Sequence, residues 1–307
     1  MSRSLLSRCN LRSISTSACR NEYVYGLSSV QAALHARKRV HLDKLYIQKT
    51  IDRYIHLIFF FRVFYGASRK TKQKTSTRVS PILDACQQQN IPISQVDKGE
   101  LNNMSANKPH QGVVLDGSPR IPITLQGMSK VDNGEYYGVT QKPVSFKTAS
   151  DRPPVWVVLD EVQDPQNLGS ILRTAYYLGV DGVLLCSKNS ASLTPAVSKV
   201  SAGAMELMDV YATRNLVKFL QASSEEGWHI VGAAAMETSA DYLHSSKVVD
   251  KPTMLVLGNE GVGLRYNVKR CCNQFISIPS VGDTKSDLVD SLNVGVAAGI
   301  LISRLCL

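Results

Sequence analysis

The second half of the chain alternates short apolar runs with amphipathic segments. Five continuous apolar runs predict buried strands, at residues 155–159, 183–186, 230–233, 254–257 and 275–278. Three amphipathic segments between them predict helices, at residues 170–178, 195–202 and 216–223. Apolar strands separated by helices favour an α/β fold with a parallel sheet covered on both faces. Ligands of such sheets bind beyond the carboxyl ends of the strands, so we expect the functional residues there.

The first half has a mixed pattern that indicates a separate, smaller α/β domain. Helices are predicted at 29–37 and 81–89, and strands at 45–47 and 112–115. Residues 66–80 are basic and lack an apolar period, so we interpret them as a loop, which could either contact phosphates or be a solvated charged run. Residues 118–153 are rich in Pro, Gly, Ser and Lys and predict a linker. The resulting segments are 1–21, 22–117, 118–153 and 154–307.

The first 21 residues have the composition of a mitochondrial transit peptide. They contain four arginines and several serines, and no acid occurs before Glu22. We therefore expect location in the mitochondrial matrix, although a merely disordered basic terminus has a similar composition. The most apolar run, 55–65, is about half of the roughly 20 residues that a spanning helix needs. No membrane association is expected.

Charge is distributed unevenly along the chain. Residues 1–150 hold 22 Lys/Arg against 9 Asp/Glu, whereas residues 151–307 hold 13 against 16. A basic surplus confined to one half favours a polyanion-binding domain joined to a domain with another task, although a soluble basic protein would share it. The seven cysteines show no CxxC pair, so neither a disulfide framework nor a metal site is expected.

Three motifs follow predicted strands and carry the candidate chemistry. In the first, residues 164–175, we expect Asn167 to cap a helix that places Arg173 on its polar face. The second, residues 257–264, is a glycine-rich loop that matches neither the dinucleotide nor the phosphate-loop spacing. In the third, residues 291–300, we expect Ser291 to cap a helix rich in small residues.

In this order, the three motifs resemble the signature of the SpoU/TrmH family of RNA ribose 2′-O-methyltransferases. The flanking sequences 193–195, 201–206 and 110–112 extend the resemblance. It implies a SPOUT domain with a carboxyl-terminal trefoil knot, which is rare among folds, preceded by a small α/β RNA-binding domain. It further implies a homodimer and S-adenosylmethionine as cofactor. The resemblance is greatest to members that methylate a guanosine of mitochondrial large-subunit rRNA.

The resemblance also implies roles for individual residues. The catalytic pocket would contain Asn167, Arg173, Glu260, Ser291 and Asn293. The cofactor would be held by Gly258, Ile278 and Leu292, largely through backbone groups. The chain departs from the family pattern at Gly295, where serine is commoner, in an acidic segment at 281–290, and in a longer segment at 53–80.

Other functions remain open at the level of sequence. A ribosome-assembly factor that binds rRNA without catalysis would be expected to lack polar pocket residues, which are present here. A nucleotide-dependent oxidoreductase would need the dinucleotide fingerprint after the first strand, which is missing. A transfer RNA substrate is the nearest rival, and the general base is undetermined, since an arginine has a pKa above about 12.

Overall fold

The fold was described from a computed structural model. The structure describes residues 21–49, 73–148, 152–234, 241–242, 250–279 and 291–307. The predicted transit peptide, except Asn21, therefore lies outside the described residues, as do residues 66–72, the apolar run 55–65 and the acidic segment 281–290. None of the described helices is both long enough and apolar enough to cross a membrane.

The first domain is a four-stranded sheet with helices. Its strands are β1 (Glu22–Tyr25), β2 (Leu42–Gln48), β3 (Ile93–Val96) and β4 (Val113–Gly117), in the order β1-β4-β2-β3. Its helices are α1 (Leu27–Ala36), α2 (Gln73–Gln88) and α3 (Lys98–Met104). Val30 and Leu34 of α1 pack with Ile82 of α2 in one apolar core. Both predicted helices are thus confirmed, but β1, β3 and α3 were not foreseen.

Helix α2 begins earlier than predicted. Residues 73–80, assigned to a loop from their polarity, are helical, and Pro81 lies inside the helix rather than near its start. Val79 and Ile82 are fully buried, so tertiary packing offsets the cost of an internal proline. The loop prediction was wrong for these residues because packing overrides weak local propensity.

The segment predicted as a linker contains four strands. They are β5 (Ile123–Thr124), β6 (Gly127–Met128), β7 (Glu135–Val139) and β8 (Val144–Lys147). Tyr136 of β7 stacks on Phe146 and accepts a hydrogen bond of 3.0 Å from the Trp156 indole nitrogen. Strands β6–β8 therefore cover one face of the second domain's sheet, while β5 joins its edge, and their shortness did not reveal these roles.

The second domain is built on a parallel sheet. Its further strands are β9 (Val155–Leu159), β10 (Gly182–Cys186), β11 (Val210–Thr213), β12 (His229–Ala233), β13 (Asp241–Tyr242), β14 (Thr253–Leu257) and β15 (Gln274–Ser277). They lie in the order β13-β15-β12-β14-β9-β10-β11, with β5 at the edge, and all pairs are parallel. The five predicted strands are confirmed within one residue at each end, and β11 and β13 were missed.

Both faces of this sheet are buried, as its apolar strands predicted. Val157 and Leu159 of β9 face one core, whereas Trp156 and Val158 face the other. The first core is covered by α4 (Pro165–Tyr177), α5 (Pro195–Val200), α6 (Ala204–Leu207) and a later helix, α9 (Val294–Cys306). The second is covered by α7 (Leu216–Glu225), α8 (Tyr266–Lys269) and β6–β8. The trefoil knot stays a prediction, because residues 243–249 and 280–290 lie outside the described ranges.

A buried ion pair fixes the two domains to each other. The guanidinium of Arg39, which has no exposed side-chain surface, donates to both carboxylate oxygens of Glu206 at 2.8 and 3.0 Å. It also donates to the carbonyl of Ser118 and pairs with Glu22. Nearby, Arg120 donates to the carbonyls of Lys38 and Met208, one in each domain. The domains thus meet through a network of buried polar groups, in which only Nε of the Arg120 guanidinium lacks a hydrogen-bond partner among the described residues.

We expect Arg39→Met to lower the free energy of unfolding by about 3–5 kcal/mol, because Glu206 would remain buried without a partner. Arg39→Met combined with Glu206→Met should recover most of the loss, since no charge is then left buried. Urea denaturation measures both. The matched control is Lys38→Met, which breaks a partly exposed pair with Asp209 and should cost at most about 1 kcal/mol. An Arg39→Met cost no larger than that of the control would contradict the argument.

Candidate active site

One side chain joins the three motifs at the carboxyl edge of the sheet. Asn167, buried in the first turn of α4, donates through Nδ2 to Oε1 of Glu260 at 3.0 Å. Its Oδ1 accepts a hydrogen bond of 2.9 Å from Nδ2 of Asn293. Residues predicted separately from motifs one, two and three are therefore in direct contact.

Helix α4 is capped differently from the prediction. Asp164 is the N-cap, its carboxylate accepting from the backbone of Gln166 at 2.8 Å, and Pro165 occupies the first turn. The prediction for Asn167 was wrong because Asp and Asn share the same capping chemistry, and a proline at the first helical position favours the earlier start. The correction has a functional consequence: the amide of Asn167 is available to bridge Glu260 and Asn293.

Glu260 is held as a carboxylate by converging donors. Burial raises its pKa, but hydrogen bonds from the Asn167 side chain and from the backbone of Glu260, Asp164 and Gln163 outweigh this, so the pKa lies below its ordinary value of 4.5. The backbone donors of Asp164 and Gln163 lie 3.2 and 3.4 Å away. A carboxylate that accepts these hydrogen bonds is a poor proton acceptor. It instead joins the glycine-rich loop to the start of α4.

The glycine-rich loop is closed by its own backbone and by Asn259. The nitrogens of Asn259 and Gly263 each donate to the other's carbonyl at 3.0 Å. The Asn259 side chain accepts from Gly261 and donates to the carbonyl of Glu161. A Cβ on Gly258 would lie 2.3 Å from the carbonyl carbon of Gly263, so this loop closure requires glycine there.

Asn293, not Ser291, caps helix α9. Its Oδ1 accepts from the backbone of Gly295 and Val296 at 2.9 and 3.4 Å. The prediction for Ser291 was wrong because serine and asparagine can both cap a helix. The two residues are two positions apart here, and the helix starts after the second. At Gly295 a Cβ would meet Ser170 Oγ at 2.3 Å, so the small residue lets α9 cross α4 closely.

Arg173 is not brought to the cluster formed by Asn167, Glu260 and Asn293. It lies six residues after Asn167 on α4, about 9 Å along the axis and on a different, exposed side. Within the described ranges, no carboxylate pairs with its guanidinium. Its exposed neighbours on α4 are Tyr176 and Tyr177, which are 50% and 87% exposed.

The three predicted cofactor residues lie at the same edge of the sheet. Gly258 follows β14, Ile278 follows β15, and Leu292 precedes α9. The ends of β14 and β15 flank β12, two strand spacings or about 10 Å apart. Strand β12 ends at Ala233 and is followed by Ala234, so the residues after it are small, and Leu292 offers apolar surface that is 49% exposed. Backbone groups beside small and apolar residues are suited to a largely apolar ligand with polar edges.

Two family models match the chain. The SpoU rRNA Methylase family matches residues 154–303, and a model described as RNA 2′-O ribose methyltransferase substrate binding matches residues 68–121. The first range contains all three motifs, and the second contains much of the small domain.

Four curated relatives share one printed name, "rRNA methyltransferase 1, mitochondrial". The Dictyostelium discoideum protein is 38% identical over 70% of this chain and 42% of its own length, and the human protein is 36% identical over 73% and 62%. The Schizosaccharomyces pombe protein is 35% identical over 93% of this chain and 89% of its own. The chain thus spans about half the length of the first two relatives and most of the third.

Solved structures share the fold. A Sinorhizobium meliloti rRNA methyltransferase described as AdoMet bound superposes with a TM-score of 0.64 at 19% identity, covering 93% of this chain and 86% of that one. A protein described as an RNA 2′-O ribose methyltransferase gives 0.63 at 18%, covering 94% and 89%. At these identities the likeness supports the two-domain α/β architecture alone.

We expect Glu260→Gln to destabilise the protein at pH 7, because the amide replaces a carboxylate that accepts several hydrogen bonds. A depressed pKa means that this stability is present above the unfolded value near 4.5 and is lost as pH falls through the folded value. The gap between wild type and variant should therefore close in acid.

Urea unfolding from pH 7 down to pH 3 tests this, with Glu225→Gln, an exposed change on α7, as the control. A gap that stays constant with pH would show that the carboxylate does not organise the loops.

Proposed function

Because the chain belongs to the SpoU rRNA methylase family, we propose that it transfers a methyl group from S-adenosylmethionine to a ribose 2′-hydroxyl of RNA. The observation that carries the proposal is the contact of Asn167 with Glu260 and Asn293, which unites the family's three motifs at the carboxyl edge of the sheet. A non-catalytic assembly factor would have no need of this arrangement.

The proposed substrate is a guanosine of the mitochondrial large-subunit rRNA. The relatives' shared name supports a ribosomal substrate and a mitochondrial location, and we propose the matrix as the compartment. Residues 22–117 would bind the RNA, in line with the family model that matches 68–121. The rival substrate is a transfer RNA, and mapping ribose methylation in mitochondrial RNA with and without the protein distinguishes the two.

The cofactor would be held by Gly258, Ile278 and Leu292. When bound, S-adenosylmethionine supplies a methyl group attached to a positively charged sulfur. An oxygen nucleophile would attack this methyl group in line, with the sulfur as the leaving group. Alignment of that oxygen is the main requirement. Ser291 and Asn293, at the start of α9, would orient the ribose beside the cofactor space.

Arg173 would stabilise the developing alkoxide and hold the adjoining phosphate. A guanidinium has a pKa above about 12 and stays protonated, so it serves as a charge and a hydrogen-bond donor rather than as a base. The proton of the 2′-hydroxyl would be accepted by a phosphate oxygen or by a water molecule. Glu260 is excluded as the acceptor in this mechanism by its lowered pKa and its engaged oxygens.

The proposed active unit is a homodimer. Arg173 lies away from the Asn167 cluster of its own chain, beside Tyr176 and Tyr177, while Val296 and Ile300 of the packed helix α9 are 53% and 39% exposed. Apolar side chains on two adjoining helices are typical of a symmetric helix interface. Pairing two copies through this surface would bury it and bring each Arg173 to the other protomer's pocket.

We expect Arg173→Ala to lower single-turnover methylation of an rRNA fragment by on the order of 100-fold or more, with little change in cofactor affinity. The assay contains a chelator, because we propose that no metal takes part. The control is Arg270→Ala, an exposed arginine at the end of α8. A 2′-deoxy substitution at the mapped nucleotide should abolish transfer. Methyl transfer to the deoxy substrate, or an unaffected Arg173 variant, would overturn the proposed chemistry.

Mixed dimers test whether the site is shared. Arg173→Ala and Leu292→Arg, the latter filling the proposed cofactor space, should each be inactive alone. Mixed in equal amounts and allowed to exchange, they should recover about a quarter of the wild-type rate, because half of the dimers are mixed and each has one intact site. Continued inactivity in verified mixed dimers would place Arg173 in its own protomer's site.

A further inference from the structure

A second cavity lies at the same edge of the sheet, outside the site just described. It has a volume of about 200 Å³ and opens between the ends of β10 and β11, where Cys186 and Asn215 contribute to its lining. Three cationic side chains also line it: Lys188, Arg214 and Arg265. Lys188 lies two residues after the end of β10 and Arg214 one residue after the end of β11, so the sheet itself places them.

Two of these cations have no acidic partner. Lys188 and Arg214 are exposed, and among the residues that the structure describes neither forms an ion pair. Arg265 differs, because Asp160 and Glu161 accept from it at 2.6–2.8 Å and fix its position as a wall of the cavity. The cavity therefore combines a fixed frame with two unneutralised positive charges.

The charges also stand at an unfavourable end of a helix. Arg214 and Lys218 flank the start of α7, whose first turn contains no acid. Cations at this end face the positive pole of the helix dipole and cost stability. A bound anion would offset that repulsion, so these cations favour the binding of a negatively charged ligand.

The cavity is linked to the candidate active site through one short segment. The carbonyl of Glu161 accepts from Asn259 of the glycine-rich loop, while its carboxylate pairs with Arg265. Strand β10 lies next to β9 and β11 is one strand further, so the cavity is within about 10–15 Å of the Asn167 cluster along the sheet edge. That distance corresponds to the length of a few nucleotides in a bound RNA strand.

We propose that this cavity binds backbone phosphates of the substrate RNA a few nucleotides from the methylated ribose, with Lys188 and Arg214 as the contacts. This inference rests on the proposed RNA substrate and adds a second RNA-binding surface, on the domain whose overall charge is negative. It positions the strand without touching the reacting atoms. The small domain then supplies part of the RNA affinity, and this cavity fixes how the strand runs past the active site.

The test compares Lys188→Gln/Arg214→Gln with a matched pair, Lys130→Gln/Lys251→Gln, which removes the same charge from exposed lysines away from the cavity. Binding of a single-stranded rRNA fragment is measured by fluorescence anisotropy without cofactor, over a range of salt. We expect the cavity variant to bind about tenfold more weakly and its salt slope to fall by about 1.4, since each lost phosphate contact on a single strand contributes about 0.7. The matched pair should change neither markedly.

Turnover gives the second readout. The cavity variant should show a raised KM for RNA and an unchanged kcat, and its defect should disappear on a substrate truncated so that the flanking phosphates are missing. Cofactor affinity should be unaffected. An unchanged salt slope, or a defect that persists on the truncated RNA, overturns the proposal. Because binding is measured apart from methyl transfer, failure of the proposed reaction would leave this comparison intact.

Discussion

The candidate site depends on the two-ended hydrogen bonding of the Asn167 amide. Its nitrogen engages Glu260 and its oxygen engages Asn293, so the start of α4, the glycine-rich loop and the cap of α9 share one anchor. A carboxylate in this position could not donate, and a shorter side chain could not reach both partners. Because Asn293 also caps α9, the same contact links the placement of the pocket to the stability of the helix.

The fold could be predicted from the sequence wherever the signal was local and strong. Strands such as β9 are apolar at every position because both faces are buried, and their limits were found almost to the residue. The short strands of residues 118–148 escaped because their packing depends on Trp156 and Trp228, which lie elsewhere in the sequence. The buried pair of Arg39 and Glu206 spans 167 positions, and no local pattern could indicate it.

The candidate site, like the fold, could be predicted from the sequence only in part. The three motifs could be located from the sequence because their residue types follow the order typical of the family. Three of the polar residues predicted from them are in contact in the structure. The helix caps were misplaced by two or three positions, since Asp, Asn and Ser can all cap. The cationic cavity was missed for another reason: summing charge over residues 151–307 gives a deficit, which conceals two unpaired cations placed by neighbouring strands.

The contact between Asn167 and Asn293 also has a kinetic meaning. Its two residues are 126 positions apart, and the strands between them pair almost entirely with non-local partners. Such topologies fold slowly, because loop-closure entropy must be overcome before the distant contacts form. The pocket is complete only when α9 packs against α4, where Asn293 caps α9 and Gly295 allows the close approach of the two helices. Because α9 contributes Ala298, Leu301 and Ile302 to the first core, the chain cannot complete that core without also completing the pocket.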